Sequence, residues 1–346
     1  MLIEGVTVPA SRFRALQFIA PLRARGVEIT VRHGYGPLYN RMARTSMGTP
    51  YKLATSLRRV VGGLDAGRFD VVFVQRPALP FTPLPEQLIA AINPRVVFDF
   101  DDNLFINAAG QPEPTRERTF RAIVAASRHV ICGNQFLAAQ AARPETSTII
   151  PTVLDTDRYT PGRSALASDA RVLLGWMGTA ANFRSLRLVL PDVLDALARH
   201  PDARFRLVSN GSLPELADHP QVEQVAWRAD QEVDQLRAFD VGLMPLEDTI
   251  TSLGKCGFKM IQYMAVGRPV IASAVGANVE IFEGSGAGAL VAPGASWADA
   301  LDAVIEATPA ARDAQGQAAR AHIVAHYSVS GVLDAHLNIL ECVAAS

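Results

Sequence analysis

Lysine is nearly absent from this chain. Three lysines stand against thirty arginines, and two of the three, Lys255 and Lys259, bracket a single Cys-Gly-Phe. Cysteine is equally scarce. Cys132, Cys256 and Cys342 are scattered and odd in number, which excludes a disulfide framework and offers no metal-ligand spacing. No apolar run reaches the roughly 18 residues that cross a bilayer. No basic stretch followed by an apolar core and a small-residue cleavage site marks a signal peptide, so a cytoplasmic protein is expected. Nothing matches a nucleic-acid recognition module and the net charge is −1, so nucleic acid is not an expected partner.

What is present suits two packed domains. The 346 residues exceed one ordinary core and fit two domains of about 150 residues each. With 49% hydrophobic and 19% charged residues, the composition is that of a globule rather than a disordered chain. Charge is unevenly spread: residues 1–95 carry 13 Lys+Arg against 5 Asp+Glu, and the remainder 20 against 29. Arg41, Arg44, Lys52, Arg58 and Arg59 alternate with Tyr39, Met42, Met47, Tyr51, Leu53 and Leu57. Such a face is either an ordinary Arg-rich helix surface or one that meets an anionic acceptor or the head groups of a membrane's inner face.

Apolar runs alternate with helical patterns. Strands are expected at 2–8, 27–31, 71–74, 96–98, 129–132 and 148–150, with the first helix running from Ser11 through Leu22. Continuous Val/Ile-rich strands separated by helices predict a parallel sheet covered on both faces. A Pro/Gly/Ser-rich passage at 159–168 reads as a linker. The alternation then restarts, with strands at 171–176, 205–209, 241–244, 269–272 and 289–291. Helices are expected at 186–198, 232–237 and 258–265, and from Trp297. The predicted organisation is a doubly wound α/β domain over 1–160, a second over 161–328, and a terminal amphipathic segment, 329–346, packing back toward the first. No G-x-G-x-x-G follows the first strand of either domain, which speaks against an NAD oxidoreductase.

Two clusters carry chemistry. In the segment 249–273, glycines at 254 and 257 precede a helix start flanked by Lys255 and Lys259. Free helix-terminal N–H groups and two ammonium groups make a site for a diphosphate, unless the lysines are merely a solvated pair. In the first half, Phe98-Asp99-Phe100-Asp101-Asp102 ends a strand, where parallel sheets face their ligands. Asp101 and Asp102 are candidates for binding an acceptor hydroxyl, accepting its proton or stabilising an oxocarbenium-like centre; the alternative is a helix N-cap. Read instead as a metal-binding Asp-x-Asp, the same residues would imply a single nucleotide-binding domain dependent on Mn²⁺ or Mg²⁺.

The motifs GWMGTAANFRSL (175–186), FDVGLMPLED (239–248), KCGFKMIQYMAVGRPVIAS (255–273), VGANVEI (275–281) and IIPTVLDTDRYTP (149–161) occur in order. In them the chain resembles the GT-B-fold family 4 retaining glycosyltransferases, in its Lys-x-Gly-Phe-Lys variant. The family's two glutamates eight residues apart are replaced here by Gly254 and Gln262. The resemblance implies two Rossmann-like domains facing across a cleft, with no cofactor and no metal. It implies transfer of a sugar from a UDP- or GDP-type donor to a hydroxyl of a glycan, lipid-linked or small-molecule acceptor. It assigns the donor diphosphate to Lys255, Lys259, Arg184, Gly178 and Thr179, and the ribose and sugar to Gln262, Gly257 and Phe258. Ser11, Arg12 and Arg14 fall on the acceptor side, and Trp227-Arg228-Ala229-Asp230 where the nucleobase rests. Asn278 and Glu280 either touch the donor or cap a helix; His33 lies at a strand end. The replaced glutamates leave two further readings open, a non-catalytic nucleotide-sugar binding subunit and a nucleotide-sugar epimerase of the same fold.

Overall fold

The computed structural model describes residues 1–6, 8–35, 48–107, 109–162, 164, 166 and 171–346. Tyr39, Arg41, Met42, Arg44 and Met47 of the expected basic face lie outside the described residues, as do the side chains of Lys52, Leu53 and Arg59. The chain divides into two compact units. The first comprises Met1–Val153, Gly254–Cys256 and Val329–Ser346; the second comprises Leu154–Leu253 and Gly257–Ser328. The chain thus assigns Lys255 to one unit and Lys259 to the other. No helix among the described residues is long and apolar enough to cross a membrane.

The first unit is built on six parallel strands: β1 (Leu2–Gly5), β2 (Arg32–Tyr35), β3 (Val72–Gln75), β4 (Val96–Phe100), β5 (His129–Cys132) and β6 (Ser147–Ile149). Their order is β2-β1-β3-β4-β5-β6. All residues of β3 and β4 are buried, as strands covered on both faces require. Phe98 and Phe100 stack at 5.6 Å, and Phe120 of helix Pro114–Ala126 meets Phe100 edge-on at 5.1 Å. The last helix, Val329–Ala344, lays the buried ring of His336 on Phe18 at 4.2 Å.

The second unit repeats the plan with β7 (Val172–Met177), β8 (Ala203–Ser209), β9 (Val222–Ala226), β10 (Val241–Met244), β11 (Val270–Ser273) and β12 (Gly288–Val291). All its pairings are parallel, in the order β12-β11-β10-β7-β8-β9. Helix Phe183–Arg199 buries Phe183, Leu186, Leu190, Val193 and Leu197, a helical stripe that covers one face of the sheet. Strand order reverses between β7 and β10 here, and between β1 and β3 in the first unit. In open parallel sheets such a reversal leaves a crevice at the strand C-termini, where ligands bind.

Three local expectations change. The helix expected from Ser11 to Leu22 is broken at Ala15 (φ −133°) into Pro9–Arg14, a 3₁₀ turn at Leu16–Phe18 and Ile19–Ala24. Pro21 accounts for the break: in a continuous helix it would lack an N–H and crowd the carbonyl of residue 17, whereas here it falls in a first turn. The second strand lies at Arg32–Tyr35 rather than 27–31, because pairing with β1 sets its register, Ile3 opposite His33. Strand β9 has no counterpart among the expected strands; it is a half-exposed edge with a polar middle, Glu223-Gln224, and gives no apolar signal.

Candidate active site

At the reversal point of the first unit the side chains form a compact ionic network. Ser11 does not cap its helix, which Val8 opens. Fully buried, its hydroxyl accepts from the Gly5 N–H (3.3 Å) and donates to Gln75 Oε1 (2.9 Å), tying β1 to β3. One residue beyond β3, Arg76 adopts φ +57°, in the left-handed region. Its Nε donates to Asp101 Oδ1 at 2.7 Å, and its other nitrogens lie 3.7 Å from Glu4 and 3.8 Å from Asp102. Burial alone would raise the Asp101 carboxyl; Arg76, with help from Arg14, more than offsets this and holds it below the usual carboxylate range.

Arg14, expected on the acceptor side, is a buried core residue. It forms a two-pronged ion pair with fully buried Asp99 and donates to the Ile150 carbonyl at 2.6 Å. Burial works against the guanidinium's charge, but Asp99 outweighs it and raises its affinity for the proton. Burial in turn pushes Asp99 upward, against the pull of Arg14. Arg12, half-buried, lies over the Phe13 ring at 5.1 Å.

Asp102, about one-third exposed, is the more open of the candidate carboxylates, 3.8 Å from Lys255 Nζ. Neither aspartate caps a helix, since β4 ends at Phe100 and the next helix starts at Pro114. Lys255 is located by its backbone: its carbonyl accepts from Asn134 Nδ2 at 3.1 Å. Beside it, Cys256 Sγ donates to the Asp101 carbonyl at 3.3 Å. Burial, then the charge of Asp101, pushes this thiol up to about 12, so it packs rather than reacts.

In the second unit Gly178 and Thr179 follow β7 directly. A methyl group on Gly178 would fall 2.6 Å from Lys259 Cε and 2.7 Å from the Trp176 ring, so only glycine fits. Its N–H is committed to the Val208 carbonyl at 3.0 Å, and Thr179 Oγ1 accepts from Asn182 at 3.0 Å. Lys259 holds its ammonium 5.3 Å from the centre of the Trp176 ring, within cation–π range. It stands in the first turn of helix Phe258–Ala265, which Gly257 opens at φ +60°. A β-carbon on Gly257 would overlap Ile281 Cδ1, so both conformation and space demand glycine. Phe258 is half-buried against the core of this unit. Arg184 is well exposed and pairs with Glu247, just beyond β10, at 2.9 Å.

Gln262 is buried and donates to Glu232 at 3.3 Å. Glu232 also accepts from the Tyr159 hydroxyl and from Trp227 Nε1 at 3.1 Å. Burial, then the Glu232 charge, raises the Tyr159 phenol, which keeps its proton and remains a donor. Arg228 and Asp230 form an exposed pair at 3.0 Å. Asn278, fully buried, donates to the Ser273 carbonyl at 3.0 Å, and Glu280 lies in the first turn of helix Ala277–Phe282. His33 lies within β2. Among the described residues no three His, Cys, Asp or Glu side chains gather as a metal-binding set.

Reading of the sequence missed Glu4, Arg76, Tyr159 and Glu232. Arg76 did leave a signal, a charged residue between a buried strand and Pro77; Glu232 left none, because the groups that engage it lie 5, 30 and 73 residues away.

The fold is α/β with two Rossmann-like domains, that of the GT-B glycosyltransferases. It is shared with the glycosyltransferase of Rickettsia africae (TM-score 0.70, 14% identity, 98% of this chain and 96% of that one). It is shared equally with the sucrose-phosphate synthase of Thermosynechococcus elongatus (0.70, 18%, 100% and 96%). Anabaena HepE in complex with UDP-glucose follows at 0.69, with 16% identity over 99% of this chain and 98% of that one. At such identities these likenesses establish the fold alone. In sequence, residues 171–308, which span most of the second unit, match the family described as glycosyl transferases group 1. The chain is also 28% identical over 207 residues to a D-inositol 3-phosphate glycosyltransferase of Corynebacterium aurimucosum. That match covers 52% of this chain and spans about half the length of the curated relative, 48%.

Proposed function

We propose that this chain is a cytoplasmic retaining glycosyltransferase of family 4 type. In this reading it moves a sugar from a UDP- or GDP-linked donor to a hydroxyl acceptor without a metal ion. The observation that carries the proposal is the placement of Lys259. Its ammonium is held over Trp176 beside the Gly178 turn, in the first turn of a helix, where the strand order reverses. As the bond between the anomeric carbon and the diphosphate breaks, negative charge grows on the leaving oxygens. A positioned cation and a helix N-terminus favour that charged state over the ground state. Lys255 and Arg184 supply further positive charge, Arg184 by exchanging Glu247 for phosphate. Gln262, oriented by Glu232, is assigned to the ribose or sugar hydroxyls, having both a donor and an acceptor. On the acceptor side Asp102, the more open carboxylate, binds the hydroxyl and takes its proton, and Asp101 stays ionised beside Arg76. Membrane-associated acceptors fit this reading, as do soluble glycans.

The test is to mix the purified chain with UDP-, GDP- and dTDP-sugars, with and without EDTA, and to follow thermal stability and released nucleotide. Stabilisation by one nucleotide class with slow, EDTA-insensitive release supports the proposal; no response to any donor overturns it. A second reading, a non-catalytic binding subunit, is favoured by Gly254 and Gln262 standing where the family carries glutamates. It predicts stabilisation by a donor with no release and no transfer over a broad acceptor panel.

A further inference from the structure

Helix Leu84–Ile92 is turned partly inside out. Its acidic residue, Glu86, is buried and accepts the Ala78 N–H at 2.7 Å, while Leu84, Leu88 and Ile92 face solvent. Spaced four apart, the three lie one above another on a single face. Helix Gly48–Val61 and the turn after it add Leu57, Val61 and Leu64, and all six side chains are 43–61% exposed. The two groups adjoin. A β-carbon on Gly63 would touch Ile89, one on Gly67 would fall 3.4 Å from Ile92, and Asn93 Nδ2 binds the Ala66 and Phe69 carbonyls at 3.1 and 2.7 Å. Phe81, likewise exposed, extends the surface toward Arg116, whose guanidinium lies 4.7 Å from the ring centre. Soluble surfaces seldom leave so many large apolar side chains side by side.

The charges around this face select its occupant. Arg58, next to Leu57 in the helix, and Arg68, next to Gly67, are exposed, and Arg95 is half-exposed. Of the nearby acids, Glu86 is buried, Asp65 is paired with Arg32 at 2.7 Å and Glu117, exposed beside Arg116, is paired with Arg121 at 3.5 Å, leaving Asp70 exposed. A second copy of the chain meeting this face symmetrically would set arginine against arginine. An anionic bilayer offers acyl chains to the leucines and phosphates to the arginines at once, and the two contributions add. We infer that the face built from residues 57–92 docks on an anionic lipid surface. This inference does not depend on the sugar-transfer reading.

The test is flotation of the full chain with phosphatidylcholine vesicles, with and without phosphatidylglycerol, at low and high salt. Binding is expected only with phosphatidylglycerol and is expected to weaken with salt. The L84E/L88E double variant should reduce the bound fraction about tenfold, and R58E/R68E should do so comparably. L188E, which alters an exposed leucine of the second unit, should bind as the parent does. These side chains are exposed, so melting temperature and donor-induced stabilisation should stay at parental values, which separates loss of docking from loss of folding or of donor binding. Absence of flotation overturns the inference, as does flotation that L84E/L88E leaves unchanged. A concentration-dependent dimer abolished by L84E/L88E, with no vesicle binding, would give the face to a second copy and overturn it equally.

Discussion

The two units share a six-stranded parallel sheet and treat its reversal point in opposite ways. In the first, the point between β1 and β3 is occupied by the chain's own charges. Arg76 is shared among Glu4, Asp101 and Asp102, and Arg14 is spent on buried Asp99. In the second, the point between β7 and β10 is bordered by a glycine turn, a helix start and a lysine held by an aromatic ring. One arrangement pairs its buried charges internally and leaves Asp102 about one-third exposed. The other sets a lysine over an aromatic ring in the first turn of a helix. The same topology therefore carries an ion-pair network at one reversal point and a glycine turn with an aromatic-held lysine at the other, with side chains making the difference.

Four measurements would break or sharpen this contrast. The largest effect is expected for Arg14→Met, which leaves Asp99 buried without its partner at a cost of about 3–5 kcal/mol. Urea unfolding should recover most of that loss in Arg14→Met/Asp99→Leu, and a single variant as stable as the parent would show that the pair is not structural.

Lys259→Ala is the counterpart in the second unit. Melting temperature should be almost unchanged while nucleotide release falls about a hundredfold, the size expected for one lost charge-stabilising group. Full activity in this variant would remove the lysine from the site.

The third concerns His336, whose imidazole is pushed from 6.5 down to about 3 by burial, with a smaller push from Arg14. The folded state binds this proton less readily than the unfolded state, so the site's stability is complete above the unfolded value and declines as pH falls toward the folded one. Between pH 6.5 and 5 the loss attributable to His336 is about 2 kcal/mol, at roughly 1.4 kcal/mol per pH unit. Comparing the parent with His336→Phe by denaturant unfolding at both pH values isolates it, and identical pH dependence would refute the assignment.

The smallest effect belongs to the exposed Arg184–Glu247 pair, where Glu247→Gln should change stability by less than about 1 kcal/mol. If Arg184 exchanges that carboxylate for phosphate, the same variant should bind the donor at least as tightly as the parent, which a titration by thermal shift would show.

Much of the fold was legible along the chain. Strands buried on both faces write themselves as unbroken Val/Ile/Leu runs, and β3, β4, β7 and β10 could be read directly. Helix Phe258–Ala265 could be placed to the residue, because Gly257 before it and Gly267 after it punctuate both ends. The polar edge strand β9 and the broken first helix could not, since sheet pairing and a proline's position decided them. In the candidate site, lysine scarcity singled out Lys255 and Lys259, and the sheet rule singled out the aspartates after β4. The buried place of Arg14, expected on the acceptor side, could not be read, because nothing near it in sequence announces Asp99, 85 residues away.

Local residue choice thus determined which elements form and which residue types are available for chemistry, since periodicity, glycine and proline act within a turn or a strand. Tertiary structure decided which charges are buried in ion pairs. A charge is committed by partners brought from 25 to 153 residues away, as Arg14, Arg76 and Lys255 show. Because the energy of burying a charge depends on those partners and on the water they exclude, only the folded chain could show that Arg14 is buried against Asp99 while Lys259 stands over an aromatic ring.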